Sequence, residues 1–421
     1  MTTKTTDVTT LAKQARSAYR TLSTLDTGVK NEALEAVAVE LRKRRDEILE
    51  ANEKDLEYGR EEGLSDALLD RLQLTPDRLD GMADGIRDVI KLDDPVGEVV
   101  ESSKRPNGLK VGRQRVPLGV IGMIYESRPN VTVDATVLCL KSGNSILLRG
   151  GSEAKHTNYL LVDIMQDALG DHLPEESVQI LRSQDHELVD QMLSEDDNID
   201  VIIPRGGETL IERVAEESKI PVIKHYKGIC HVYVSASADL DMAMDICLNA
   251  KTQRTSVCNA METLLLSDEL PDGFLNDLFS RLEDNGVELR VDGDLFGQSD
   301  RFEADFKEAN SEDWDTEYLD SILSVRRVGS LDQAIEHINE HGNHSDAIVT
   351  DRYEESQQFI DRVDSAAVYV NASTRFTDGY EFGLGAEIGI STDRLHCRGP
   401  MGLRELTIPK YTVFGDGQVR T

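Results

Sequence analysis

Residues 117–151, PLGVIGMIYESRPNVTVDATVLCLKSGNSILLRGG, decide the fold. GVIGMIY (119–125) is a short continuous apolar run and reads as a buried strand. Val131–Ser142 reads as a helix and SILLR (145–149) as a second strand. A strand, a helix and a strand in so short a span form a βαβ unit, whose strands run parallel. Toward the C-terminus the alternation continues. Ser152–Leu169 reads as helix, VQIL and IDVIIP as strands, Glu208–Ser218 as helix and IPVIK (220–224) as strand. It resumes with METLLLS, VELRV, AIVT and AAVYVN as strands, and Gly273–Asp284, Leu331–Glu340 and Tyr353–Val363 as helices. This predicts an α/β class with two doubly wound, mostly parallel lobes that change over near residues 225–235. The acidic stretch Asp292–Asp315 reads as a solvated excursion on the second lobe. Toward the N-terminus, GEVVESS and LKVGRQRV flank residues 104–108 as a hairpin. The first 90 residues read as helices, with apolar positions at helical spacing through Leu34, Val37, Ala38, Leu41 and Ile48.

At 421 residues the chain is long enough for two or three lobes with cores of their own. No run of about 18 apolar residues suggests a membrane helix, and the N-terminus has no apolar signal core. A cytoplasmic location is expected. Lys plus Arg is 46 against 79 for Asp plus Glu, a net charge of −33. Nucleic-acid binding needs a basic face and is disfavoured. So acidic a surface suits a halophilic, high-salt cytoplasm, although an ordinary acidic protein fits as well. Within this excess, residues 103–160 carry nine basic groups against three acids, Glu126, Asp134 and Glu153. Such an island serves an anionic ligand or an interface. The five cysteines show no C-x-x-C spacing, so neither a disulfide framework nor a metal knuckle is expected.

Two strands end alike. SILL runs into Arg149-Gly150-Gly151 and DVIIP into Arg205-Gly206-Gly207, each before a helix. A strand, two glycines and a helix N-terminus offer backbone amides to an anion, and the arginine adds a cation. Each alone also reads as a plain turn; together they point toward a nucleotide. The usual G-x-G-x-x-G and Walker motifs are absent. Cys258 lies in a polar segment between a helix and METLLLS. Beside Arg254 and backbone amides its thiol can ionise to a nucleophile; an inert half-buried cysteine is the alternative.

QRTSVCNAMETLLL (253–266) resembles the nucleophile segment of the glutamate-5-semialdehyde dehydrogenases, or γ-glutamyl phosphate reductases, of the aldehyde dehydrogenase superfamily. The resemblance extends through RVPLGVIGMIYESRPNVTVDA, GNSILLRGGSEA, DVIIPRGG, IPVIKHYKGICHVYV, EYLDSILSV, AIEHIN with HSDAIVT, and VYVNASTRFTDGYEFGLGAEIGIST, from about residue 10 to the end. It implies an aldehyde dehydrogenase-like fold with a cofactor-binding lobe (1–98, 116–226 and 375–403), a catalytic lobe (227–374) and a small β oligomerisation flap (99–115 and 404–416). It also implies NADPH as cofactor, a homo-oligomer and functional coupling to glutamate 5-kinase. The implied reaction is reduction of L-glutamyl 5-phosphate to L-glutamate 5-semialdehyde, the second step of proline biosynthesis, through a Cys258 thioester. By residue, the resemblance assigns Arg149, Ser152 and Glu153 to the adenosine ribose and its 2′-phosphate. Arg205, Gly206 and Gly207 go to the phosphate and nicotinamide loop, and Glu317 to the nicotinamide ribose. Asn130 helps the oxyanion. Arg254 meets the leaving phosphate, and Asn371, Ser373 and Arg375 hold the substrate α-carboxylate. Hydrolytic members carry a glutamate in Glu-Leu-Gly-Gly; the matching stretch here, 224–228, has no carboxylate, which leaves His225 as a base in principle. At His341-Gly342-Asn343-His344 the family usually has one more residue.

Overall fold

A computed structural model describes residues 7–224 and 227–420. They gather into two compact units. One holds the described residues up to Lys224 with Gly383–Ile390 and those from Pro400 onward; the other holds Lys227–Phe382 with Ser391–Gly399.

The first unit carries β1 (Val99–Lys104), β2 (Lys110–Pro117), β3 (Val120–Tyr125), β4 (Ser145–Gly150), β5 (Val178–Ile180) and β6 (Val201–Arg205). The last four form a parallel sheet in the order β5-β4-β3-β6. β3 is buried at all six positions, which is why its sequence shows no polar alternation. The chain steps outward from β3 through β4 to β5, then returns to lay β6 on the other side of β3. That reversal opens a crevice at the C-terminal ends of β3 and β6, where open α/β sheets take their ligands. The N-terminal helix Val8–Leu22 is started by Asp7, whose carboxylate accepts from the Thr10 N–H at 2.9 Å. Its apolar stripe of Val8, Leu11, Ala12 and Ala15 packs with Val120, Ile124 and Leu147. Each large side chain so buried stabilises the unit by roughly 2 kcal/mol.

The strand expected at 220–224 shrinks to one bridge, Val222 to Ile202. Pro221 lacks the N–H that would extend the ladder. The hairpin β1–β2 forms as read, and Thr407–Phe414 joins β2 antiparallel on its other edge to make a three-stranded sheet. β1 is exposed along its whole length, and so are Tyr411, Val413 and Phe414.

The second unit carries β7 (Cys230–Val234), β8 (Met261–Ser267), β9 (Glu288–Val291), β10 (Phe306–Glu308), β11 (Ile322–Val328), β12 (Ser345–Val349) and β13 (Ala367–Val370). They form a seven-stranded parallel sheet in the order β10-β9-β11-β8-β7-β12-β13. Alternate residues feed two cores. Val232, Val234, Leu264 and Leu266 enter one; Tyr233 and Leu265 enter the other. The acidic stretch 292–315 is more than an excursion. It supplies the edge strand β10, and Phe302 and Phe306 set their rings edge-on to Phe279 at 5.4 and 5.2 Å. Among the described residues no helix is long and apolar enough to cross a membrane.

Candidate active site

In the first unit three strand ends meet, because β3 lies between β4 and β6. Arg149-Gly150-Gly151 leaves β4 and turns through Ser152–Ala154 into the helix Lys155–Leu169. Arg205 closes β6, and Gly206-Gly207 leads into the helix Glu208–Glu217. Ser152 and Gly207 are exposed; Arg149, Glu153, Arg205 and Gly206 are half-buried. The loop after β3 is tied to both neighbours by carboxylates. Glu126 Oε2 accepts from the Gly207 N–H at 3.0 Å, at the mouth of the helix. Glu153 Oε1 accepts from Ser127, N–H at 2.5 Å and Oγ at 2.9 Å. These bonds hold Ser127 at a φ of 43°, a conformation a non-glycine residue adopts only when its surroundings enforce it. Arg149 donates to the Gly150 carbonyl at 3.3 Å, while its buried Nε has no hydrogen-bond partner among the described residues. Burial pulls its guanidinium below the ordinary value, and Glu153 pulls the other way.

Asn130 also belongs to this unit, in the first turn of the helix Pro129–Lys141. Its Nδ2 donates to Asp134 Oδ2 at 3.0 Å. Burial pushes the Asp134 carboxyl up to about 6, and the Asn130 hydrogen bond opposes that shift.

In the second unit Cys258 sits half-buried in the turn between the helix Leu240–Thr252 and β8. Burial pushes the thiols of Cys139, Cys230 and Cys247 upward, Cys247 to about 12, so these three are core groups. The Cys258 turn is fastened from below and from the side. Its carbonyl accepts from Cys230 Sγ at 3.2 Å. Cys230 Sγ lies 3.6 Å from Nδ1 of buried His344, and that same Nδ1 lies 2.8 Å from Ser345 Oγ. Asn259 Nδ2 donates to the carbonyls of Thr377 and Arg375, at 2.8 and 3.3 Å, and its own carbonyl accepts from Thr374 Oγ1 at 2.7 Å. The turn that carries Ser373 and Arg375 is thereby stapled to the one that carries Cys258.

Arg375 is aimed by Gln253, whose Oε1 takes its Nε and Nη2 at 2.9 and 2.8 Å. Burial lowers the Arg375 pKa; Cys258 opposes that shift and Arg254 adds to it. One thiol and two guanidiniums therefore share a neighbourhood, with Arg254 exposed. Glu317 enters from another side. A methyl added to Gly228 would sit 2.4 Å from the Cys258 carbonyl oxygen, 3.0 Å from its Cβ and 2.9 Å from Glu317 Oε1. Only a residue without a side chain fits between them.

Cys258, Arg254, Ser373, Arg375 and Glu317 are thus gathered in one unit, and Arg149, Ser152, Glu153, Arg205, Gly206 and Gly207 at the strand ends of the other. Asn371 is turned elsewhere. At a φ of 55°, its side-chain amide makes paired 2.9 Å bonds with the Thr350 backbone. Ser373 Oγ is buried and accepts from the Arg375 N–H at 3.3 Å. His225 lies outside the described residues. Sequence reasoning gave no role to Glu126, Gln253 or Gly228. Gln253 meets Arg375 across 122 residues, and no local pattern announces that. Among the described residues no cluster of metal-binding side chains occurs.

Residues 1–295 match the model of the aldehyde dehydrogenase family. A γ-glutamyl phosphate reductase of Halothermothrix orenii is 54% identical over 97% of this chain and 97% of its own length. The crystal structure of the γ-glutamyl phosphate reductase of Thermotoga maritima is 46% identical, covers 98% of this chain and 100% of its own, and superimposes with a TM-score of 0.95. An acetylating aldehyde dehydrogenase from Geobacillus thermoglucosidasius, at 15% identity and a TM-score of 0.71, shares the fold. The chain is an oxidoreductase of the aldehyde dehydrogenase family and belongs to its γ-glutamyl phosphate reductase (glutamate-5-semialdehyde dehydrogenase) branch.

Proposed function

We propose that this enzyme reduces L-glutamyl 5-phosphate to L-glutamate 5-semialdehyde and phosphate with NADPH, in proline biosynthesis, through a thioester on Cys258. The observation that carries the reading is the stapled pair of turns that sets half-buried Cys258 within electrostatic reach of Arg375, on which Arg254 also acts. Two guanidiniums in one neighbourhood attract a substrate that is anionic at both ends. The names of the relatives point to the same substrate.

The first unit suits a dinucleotide. The Gly207 N–H already holds an anion, the Glu126 carboxylate, which stands where a phosphate would bind. The buried Nε–H of Arg149 is a donor with no acceptor among the described residues. Arg149, Ser152 and Glu153 would hold the adenosine end and its 2′-phosphate, Arg205, Gly206 and Gly207 the phosphates, and Glu317 the nicotinamide ribose. When bound, NADPH supplies the hydride that takes the thioester to the aldehyde level.

The chain's own residues do the rest. Cys258 thiolate attacks the acyl carbon, and phosphate, a good leaving group, departs toward Arg254. Arg375 with Ser373 orients the α-carboxylate; Asn371 spends its amide on Thr350 and serves by shaping the backbone there. Backbone amides of the Cys258 turn stabilise the oxyanion. Collapse of the thiohemiacetal returns Cys258 as thiolate. No carboxylate occupies positions 224–228 to activate water, so the thioester survives until it is reduced. The exposed edge β1 and the apolar face of Thr407–Phe414 suit a homo-oligomer contact.

The test is the reverse reaction: oxidation of glutamate semialdehyde with and without phosphate, comparing NADP and NAD. Strict phosphate dependence with faster turnover on NADP is expected. Free glutamate formed at full rate without phosphate would establish a hydrolytic aldehyde dehydrogenase instead.

A further inference from the structure

A buried ion pair brackets the nucleophile. Lys251 stands in the last turn of the helix before Cys258, and Glu262 is the second residue of β8 after it. Lys251 Nζ meets Glu262 Oε2 at 2.7 Å, with the two side chains 0% and 1% exposed. Such a pair is a poor way to gain stability, because desolvation consumes most of the attraction and an apolar pair would pack as well. Its geometry suggests another use. The pair closes residues 251–262 into a loop with Cys258 inside it.

The second carboxylate oxygen reaches a different element. Glu262 Oε1 accepts from the Leu319 N–H at 3.1 Å. Leu319 has a φ of 53°, the left-handed region that a leucine takes only when it is held there. Two residues earlier stands Glu317, whose charge acts on Glu262. Tyr318, between them, is fixed as well: its hydroxyl donates to Asp313 Oδ1 at 2.7 Å and lies 2.8 Å from Ser324 Oγ, and Lys251 Nζ stands 6.0 Å from its ring.

We infer that Lys251 and Glu262 form a positioning pair that sets the Glu317 carboxylate against the Cys258 turn. One oxygen of Glu262 holds the nucleophile's loop shut through Lys251; the other holds the backbone that presents Glu317. This rests on the reading of Glu317 as a dinucleotide contact. Burial pushes the Glu262 carboxyl up to about 7, and Lys251 draws it back toward the ionised form that can serve both donors.

Glutamine at 262 keeps the shape but has one oxygen, so it must forsake either Lys251 or Leu319. The experiment measures dinucleotide and phosphate KM in the phosphate-dependent oxidation for the intact enzyme, E262Q, E317Q and the double variant, below each variant's melting temperature. E262Q is expected to raise the dinucleotide KM about 10-fold, as E317Q does, with phosphate KM within about twofold, and the double variant to be no worse than E317Q because both act through one carboxylate. Additive effects, or an unchanged dinucleotide KM in E262Q beside a raised one in E317Q, would overturn the positioning role alone. An unchanged KM in E317Q would overturn the Glu317 contact and this role with it. Should E262Q not fold, E262D serves: it keeps the charge on Lys251 but is one methylene short of spanning both donors, and a dinucleotide KM less than about twofold changed would overturn the inference.

Discussion

The strand ends of the first unit and the Cys258 turn of the second solve opposite electrostatic problems. In the first, backbone donors are satisfied by the protein's own acids, Glu126 on Gly207 and Glu153 on Ser127. In the second, Arg375 faces a sulfur, with Arg254 and Asp378 also acting on it, and Glu317 approaches the thiol's turn closely enough that only glycine fits at 228 between them. In a chain with a net charge of −33, cations must be assembled deliberately, and here that takes contacts between residues far apart in sequence, such as Gln253 with Arg375. A donor cluster that fills itself stays ordered while it waits. Under the proposed reading, a cation cluster around a thiol instead stays poised for an anion that brings its own leaving group.

Four substitutions test the contrast, from the largest expected effect to the smallest. Cys258→Ala should lower turnover about 10⁴-fold. Fluorescence titration should show NADPH binding within about twofold of the parent; retained turnover would end the covalent reading. Gly228→Ala drives a methyl to 2.4 Å from the Cys258 carbonyl. Relief of that clash should cost about 1–3 kcal/mol in a chemical melt. With it, kcat should fall about 100-fold, because a misplaced nucleophile loses rate steeply; a silent change would mean the turn is not held as described. Arg149→Glu should raise the KM for NADPH about 10-fold or more and that for NADH less than threefold, since the 2′-phosphate is a charge only NADPH brings. Equal losses would remove Arg149 from the adenosine end.

The smallest effect concerns Asp134, in the helix Pro129–Lys141 of the first unit. Its folded pKa of about 6 lies above its ordinary 3.8. The fold therefore binds a proton that the unfolded chain releases, and the associated stability is full below pH 3.8 and lost as pH rises through 6. Asp134→Asn escapes that loss and can still accept from Asn130. It should melt roughly 2–4 °C higher at pH 8, with the gap closing near pH 4. A constant gap at both pH values would show that ionisation is not involved.

Much of this was legible in the sequence. The βαβ rhythm from residue 117 is a property of local apolar runs, and both sheets follow from it. The paired Arg-Gly-Gly ends and Cys258 stand out because two glycines directly after a strand, and a thiol in a polar segment, are marked positions. What escaped was carried by partners distant in sequence or by backbone geometry. Asn371 reads as a polar group free for substrate, but a positive φ turns its amide into a strand partner for Thr350. The strand at 220–224 failed on two prolines, Pro221 and Pro204 of β6, whose missing N–H groups stop the ladder on either side of its one bridge, and β10 is three residues long, too short for any periodicity to show. Glu126 looked like one of three acids in a basic island, and only the fold sets it at the mouth of a helix.

That placement has a thermodynamic corollary. Under the proposed reading, a dinucleotide phosphate arriving at Gly207 would evict a carboxylate rather than fill a void, so binding there would be an anion exchange in which the number of charges on the amide is nearly conserved. Under the proposed reading, ionic strength has little grip on this contact. The returning carboxylate also helps the spent dinucleotide to leave, which a site that emptied to bare amides would resist.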